Sequence, residues 1–220
     1  MSSERNLLDY MIINQQTIKA MPQQYRVAFI NSLAGFRQTV LVGTISQAGH
    51  SNLAIFNSLI HLGANPALFG LISRPDVVPR DTLSNIMTTK DFTFNFVSTA
   101  DYEKAHQTSA RYEPEVSEFE EVGFQKEFIP ELNSPFVKEA IVKIGMKFEQ
   151  TIDIKINGTI LIIGSIQYVQ LADELVNEDG FIALEKANVL TSCGLDAYYT
   201  TKSLGRLTYA KPNTWPKRIV

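Results

Sequence analysis

Residues 142–166 constrain this chain more than any other stretch. Val142, Ile144, Met146, Phe148, Ile152, Ile154 and Ile156 occupy even positions, while Lys143, Lys147, Glu149, Asp153 and Lys155 occupy odd ones. Alternate residues point to opposite faces only in a strand, so the pattern predicts a long strand with one apolar and one wet face. Gln150 is the single polar residue in the even set and marks the expected bend. Asn157-Gly158 follows, the strongest short hairpin signal. A two-residue loop there sets Ile156 opposite Thr159 and Ile154 opposite Leu161. The return strand, Thr159–Ile166, is apolar on both faces, as a strand covered on both sides would be.

Shorter strands precede this hairpin. Val40–Ser46 and Asn52–Asn57 flank a loop of Gln47-Ala48-Gly49-His50-Ser51. Ala67–Ser73 reads as a third strand and Phe92–Val97 as a fourth, with Phe92, Phe94 and Phe96 alternating against Thr93, Asn95 and Val97. Helices are short. Pro22 opens one over Gln23–Ala34, with Val27, Ile30 and Ala34 at helical spacing and Gly35 placed to stop it. Asp81 is positioned to cap Thr82–Met87, Ser98 to cap a helix from Thr99 to about Ala110, and Val116–Val122 adds a turn or two. Nothing supplies the long helix after each strand that a βαβ sheet needs. The expected class is mainly β: a closed or nearly closed antiparallel barrel with short peripheral helices. The organisation expected is one domain over 1–220, with a polar, irregular arm and helix (1–35), a barrel core (36–179) and a C-terminal extension (180–220).

Charge excludes some functions. The chain has 43 charged residues in 220, or 20%, a net charge of -3 and a pI of 5.7. A protein that coats nucleic acid or an anionic membrane needs the opposite balance. A typical domain would carry about 25% charged residues. The deficit is local, because Gln38 through Ser73 contains no Asp, Glu, Lys or Arg, and the run ends at Arg74. Gln38, Gln47, Asn52, Asn57 and Asn65 break any apolar span within it. Cys193 is the only cysteine, so no intramolecular disulfide, iron–sulfur cluster or multi-cysteine zinc site forms from this chain. The opening residues lack a signal-peptide pattern, and the cytoplasm is the expected location.

No dinucleotide glycine motif, phosphate loop or metalloprotease helix is present, and His50, His61 and His106 show no metal-ligand spacing. An enzyme of this composition would rely on a bound cofactor for electron chemistry. Three clusters carry possible site chemistry. Ser73-Arg74-Pro75-Asp76-Val77-Val78-Pro79-Arg80-Asp81-Thr82 runs from a strand end into a helix start, where two guanidiniums, two hydroxyls and helix N–H groups favour an anion. The alternative is a surface loop with Asp81 as an ordinary cap. Ser51 to Ser58 offers backbone groups, Asn52 and Asn57 to a flat polar ring, with room at Ala54; the alternative is a plain barrel strand. His106 to Tyr112 lies at a helix end and, taken alone, reads as capping; Tyr198-Tyr199, after Gly194-Leu195-Asp196, reads as packing.

Taken in order, these pieces resemble one family. Gly43-Thr44, Gly49, Asn52-Leu53-Ala54, Phe56-Asn57, Pro66, Ser73-Arg74-Pro75, Arg80-Asp81-Thr82, Asn85-Ile86, Thr108-Ser109-Ala110 and Ser117-Glu118-Phe119 are similar to the flavin reductase-like family of FMN-binding split barrels, which includes flavoredoxin. The resemblance spans about Gly35 to Asp179. It implies a six-stranded Greek-key split barrel that forms a homodimer with FMN at or beside the dimer interface. It also implies that Asn52, Leu53, Ala54, Ile55, Phe56 and Asn57 line the flavin ring, largely through backbone groups. Ser73, Arg74, Arg80, Asp81 and Thr82 would hold the phosphate, with Asp81 and Thr82 offering N–H or hydroxyl groups, and Ser109 would sit near the ring or ribityl chain. Ile55 stands where the family often has Pro, Asn57 where it often has Ser, and Pro75 where a second Arg is frequent. The implied activity is hydride transfer from NAD(P)H to flavin, then electron delivery to an acceptor such as free flavin or a protein. An FMN electron carrier or sensor without NAD(P)H turnover is the alternative, and a barrel that has lost its cofactor is a third reading. Flavin and a second subunit covering the uncharged strands would account for their missing charge.

Overall fold

The computed structural model describes residues 10–75, 80–113 and 115–219. Seven strands form the main sheet: β1 (Val40–Ile45), β2 (Ser51–Phe56), β3 (Leu59–Ala64), β4 (Ala67–Ser73), β5 (Asp91–Phe96), β6 (Val142–Ile154) and β7 (Thr159–Gln170). Their order in space is β2-β1-β5-β6-β7-β4-β3, and every neighbouring pair is antiparallel. β2 and β3 follow one another in sequence yet stand at opposite edges, so the barrel is split between them. β3 is the strand that the pattern did not predict. Four of its six residues are exposed, so it shows no two-faced alternation to read.

The long hairpin forms with its loop corrected. Thr159 pairs with Ile154 and Leu161 with Ile152, two residues away from the expected register. A tight two-residue turn needs left-handed backbone at both central positions. Only Gly158 has it, at φ 72°. Asn157 instead folds its Oδ1 back to accept the Thr159 N–H at 3.1 Å, and Lys155 to Gly158 form a four-residue loop with Ile156 exposed. A shift of two by itself preserves the facing of the side chains, but the apolar face expected along residues 142–156 is not buried throughout, because Ile152 is 47% exposed and Ile156 94%. The bend expected at Gln150 is present as a break in register between the pairs Ile163–Gln150 and Gly164–Phe148. The wet face does not extend along all of β6. Residues 142–146 are buried on both sides, and the Lys143 ammonium is paired with the Glu127 carboxylate.

The main core joins Phe92, Phe94, Phe96, Val142, Ile144 and Met146, from the faces that alternation assigned to it, to Val40 and Val42 of β1. A second, separate cluster joins Leu41 of β1 and Leu53 of β2 to Phe119, Val122, Val137 and Leu190. The polar side of β5 is buried too. Asp91 accepts from the Asn133 and Ser134 N–H groups at 3.0 and 2.9 Å. Thr93 Oγ1 donates to the Pro135 carbonyl at 2.7 Å, and Asn95 Oδ1 accepts from the Val137 N–H at 2.9 Å. Residues 133–137 are laced across the sheet by these bonds, which satisfy polar groups that would otherwise be costly to bury.

Among the described residues, five short helices surround the sheet: α1 (Gln15–Ala20), α2 (Gln23–Leu33), α3 (Asp81–Thr89), α4 (Tyr102–Gln107) and α5 (Glu118–Val122). α1 lies in the stretch expected to be irregular, where Asn14 Oδ1 caps it by accepting the Thr17 N–H at 2.9 Å. Residues 1–9 of that arm are outside the described residues. α2 starts after Pro22 as expected, but it buries no residue against the body. Ser98 caps a 3-10 turn, Thr99–Asp101, which leads into α4. A small second sheet joins Phe36–Gln38 to Thr191–Cys193 and Ala197–Tyr199, which brings the C-terminal extension back beside β1. No helix among the described residues is long and apolar enough to cross a membrane.

Candidate functional site

β2 is an edge strand, and its position at the edge creates the site. The Leu53 N–H does not point at β1; it donates to Glu118 Oε2 of α5 at 2.9 Å. Antiparallel pairing directs the backbone groups of alternate residues to alternate sides. Ile55, two residues on, therefore presents its N–H and C=O to the same open side. That side faces a cleft of about 870 Å³, within the size range of pockets that bind small molecules.

The cleft brings together eleven of the twelve residues expected at the site: Asn52, Ala54, Ile55, Phe56, Asn57, Ser73, Arg74, Arg80, Asp81, Thr82 and Ser109. Leu53 is the exception. Its side chain is fully buried in the second apolar cluster, and α5 closes over it, with Glu118 accepting its N–H. Asp76, Val77, Val78 and Pro79, between the two arginines, lie outside the described residues.

The start of α3 differs from expectation in an informative way. Asp81 is the first helical residue and not its cap. Arg80 holds the cap position in extended backbone, at φ -127° and ψ 107°, and makes no side-chain cap hydrogen bond. Among the described residues the first-turn N–H groups thus have no side-chain acceptor, beside Ser73, Arg74 and Arg80 on one wall of the cleft. The Arg80 Nε donates to the Pro75 carbonyl at 3.5 Å, leaving its terminal nitrogens without a partner among the described residues. Two guanidiniums and an uncapped helix end make this the anion-favouring end of the cleft. Asn52 serves to hold it in place: its Nδ2 donates to Thr82 Oγ1 at 3.2 Å and to Thr44 Oγ1 at 3.3 Å. Asn85 Nδ2 donates to the same Thr44 hydroxyl at 3.1 Å.

Other wall residues escaped the sequence reading. Arg37 and Thr39 enter from the lead-in to β1, and Leu195, Asp196 and Tyr198 from the C-terminal extension. Asn57 Nδ2 donates to the Gly194 carbonyl at 2.8 Å and so ties β2 to that extension. Tyr198 meets His106 Nδ1 at 2.8 Å, and burial, then Asp196, pushes its phenol above the ordinary range. An isolated Tyr-Tyr pair gives no sign of such a place in the sequence. Glu118 does leave a trace, in the Ser117-Glu118-Phe119 run.

Burial raises the Glu118 carboxyl above its ordinary value of 4.5, with a further rise from Asp81, against the lowering effect of the Leu53 and Glu118 N–H groups. A carboxyl raised on folding binds more protons in the folded state. The stability it confers is complete below the ordinary value and declines as pH climbs through the raised one. Glu118→Gln keeps an oxygen for Leu53 N–H and removes the titration. The variant should lose less stability than the parent between about pH 4 and pH 7, measured as urea midpoints across that range. Parallel curves for the two proteins would show that Glu118 does not titrate in this window.

An open seven-stranded antiparallel barrel with an anion-favouring cleft along one edge defines a split-barrel protein. Its family follows from the match of the flavin reductase like domain to residues 33–191; the chain belongs to that family. A split-barrel protein from Shewanella frigidimarina NCIMB 400, assigned as a flavin reductase, is 45% identical, with a TM-score of 0.88 over 91% of this chain and 100% of its own. Nitrilotriacetate monooxygenase component B from Bacillus cereus shares the fold at 19% identity and TM-score 0.79, over 91% and 100%. Flavoredoxin of Desulfovibrio vulgaris (Miyazaki F) shares it at 18% and 0.67, over 82% and 92%. An uncharacterized protein of Aquifex aeolicus (strain VF5) is 28% identical over 74% of this chain and 83% of its own length.

Proposed function

We propose that the cleft holds FMN and that the protein is an NAD(P)H-dependent flavin reductase working as a homodimer. The observation that carries the reading is the uncapped start of α3, open to the cleft beside Arg74 and Arg80. It offers one compact dianion site, as a mononucleotide requires. Ser73 and Thr82 add hydroxyls, and the Asp81 carboxylate must turn away from a bound phosphate while its N–H points in. The edge of β2 supplies an N–H and a C=O at Ile55 for a flat polar ring, and Ala54 leaves space beside it. The flavin ring, when bound, supplies the hydride-accepting and electron-releasing chemistry. The chain's part is to orient the ring, hold the phosphate and leave one ring face open to a nicotinamide.

A homodimer is supported by apolar surface that one chain leaves uncovered. Tyr25, Leu33 and Phe36 are more than half exposed around α2, and Ile60 and Leu62 are exposed on β3. The uncharged run includes β3, so its missing charge is not explained by the core of one chain.

Titration with FMN and with FAD tests the cofactor; FMN should bind more tightly and quench on binding. Anaerobic rapid mixing of the loaded protein with NADH and NADPH tests the activity. Loss of flavin absorbance with at least one nucleotide is expected. A protein that binds FMN and stays oxidised with both is an electron carrier or sensor and not a reductase.

A further inference from the structure

Arg37 and Thr39 make a second polar point on the cleft wall, and we propose that it is a carboxylate subsite for a small aromatic acid entering beside the flavin. The placement beside flavin rests on the reading above; the subsite itself rests on unpaired atoms. Thr39 is fully buried, lines the cleft, and its Oγ1 has no hydrogen-bond partner among the described residues. Arg37 Nε, also buried on this wall, has none either. Both residues line the same cleft, so the two unpaired atoms belong to one wall. Folded proteins leave few buried polar atoms unpaired, because each costs stability. Two on one cleft wall are explained by a ligand that supplies their partners.

The chemistry of that ligand follows from the donors. Arg37 Nη2 donates to the Asn31 and Gly194 carbonyls, each at 3.2 Å, which holds the guanidinium plane and leaves Nε–H over. Both acceptors are neutral, and no carboxylate pairs with Arg37 among the described residues, Asp196 on the same wall included. A cation with a spare N–H beside a hydroxyl suits a two-oxygen anion. Ile55, Leu195 and Tyr198 give the apolar flank that an aromatic body requires.

This point is separate from the phosphate end. Thr44, tied through Asn52 to Thr82, marks that end. Thr39 lies five residues earlier on the same extended segment, about 17 Å away at the usual rise of a strand. Gly194, which fixes Arg37, and Leu195 and Tyr198 all lie beyond residues 33–191, so the subsite draws on the part of the chain outside the matched domain.

Benzoate is the probe, with benzamide as its uncharged counterpart, titrated calorimetrically into the full-length protein with and without FMN. FMN affinity is measured separately by fluorescence. Benzoate should bind, and benzamide should bind at least about tenfold more weakly, as a lost charged hydrogen bond implies. Arg37→Met should weaken benzoate about tenfold or more and leave FMN affinity within about twofold. Thr39→Val should weaken benzoate too, yet raise the melting temperature of the ligand-free protein by roughly 2–4 °C, because it removes an unpaired buried hydroxyl. That gain shows the variant is folded and that the hydroxyl is not structural. Absence of benzoate binding to the parent, or equal binding by parent and Arg37→Met, overturns the subsite. A large loss of FMN affinity in Arg37→Met assigns the guanidinium to flavin and also overturns it. Failure of the parent to bind FMN sinks the flavin reading alone, since benzoate is still read on the ligand-free protein.

Discussion

Arg74→Ala and Arg80→Ala should each weaken FMN binding by about 1.5–3 kcal/mol, the value of a hydrogen bond to a charged group, or roughly ten- to more than a hundredfold. The two guanidiniums flank one uncapped helix start. They share a single anion, so the double variant should lose less than the sum of the two single losses. Lys147→Ala is the comparison, because Lys147 is an exposed cation on β6 and does not line the cleft; its effect should be small. Raising the salt concentration should weaken FMN binding to the parent and have less effect on the double variant, since screening acts on the charges removed. Fluorescence titration reads all of these. Unchanged affinity in both single variants would remove the phosphate from this end of the cleft.

The anion-favouring end of the cleft was legible in the sequence because its chemistry is local. Ser73, Arg74, Arg80 and Thr82 fall within ten residues, and only a strand end and a helix start were needed to gather them. The error at Asp81 is one position in the cap, and it arose because an Asp before a helical run is ordinarily an N-cap. Here Asp81 has moved into the first turn, where its charge still favours the helix dipole, and Arg80 takes the cap without capping. The Leu53 side chain is kept off the cleft wall by something the sequence does not show. Six consecutive residues of a strand cannot all face one ligand, and α5, distant in sequence, covers the side on which Leu53 lies.

What stayed hidden depends on pairings between distant parts of the chain. Arg37 enters the wall because Phe36–Gln38 pairs with Thr191–Cys193, more than 150 residues away. Three-residue strands carry too little alternation to be read, so neither Arg37 nor Tyr198 could be assigned to the cleft. β3 was missed because its faces are both largely exposed, and alternation appears only where one face is buried. The long hairpin was read well for the opposite reason: its pattern is long enough that the two strands and their pairing survive a loop misjudged by two residues, although the apolar face it predicts is buried only in the first part of β6.

Gly43→Ala should be the most damaging of the small substitutions in this chain, at about 3–5 kcal/mol from overpacking together with lost buried hydrogen bonds. A Cβ built at Gly43 lies 2.3 Å from the Pro135 carbonyl oxygen and 2.5 Å from Thr93 Oγ1. Neither neighbour yields easily. Pro135 is backbone, and Thr93 is fully buried with its hydroxyl bonded to that same carbonyl at 2.7 Å. Displacing Pro135 also strains the bonds on either side of it, from Ser134 N–H to Asp91 and from Val137 N–H to Asn95. The glycine is therefore required for close approach and not for an unusual turn, a reason that appears only once residues 133–137 are seen lying across β1 and β5. At this chain length such a loss lowers the melting temperature by roughly 10 °C. Gly63→Ala is the matched control, because its added Cβ meets only the Pro66 oxygen, at 3.4 Å, and should shift melting by less than about 2 °C. Thermal unfolding of the two variants side by side separates a crowded glycine from a merely small one. If Gly43→Ala melts with the control, residues 133–137 are free to move, and the buried bonds along β5 do not hold them to the sheet.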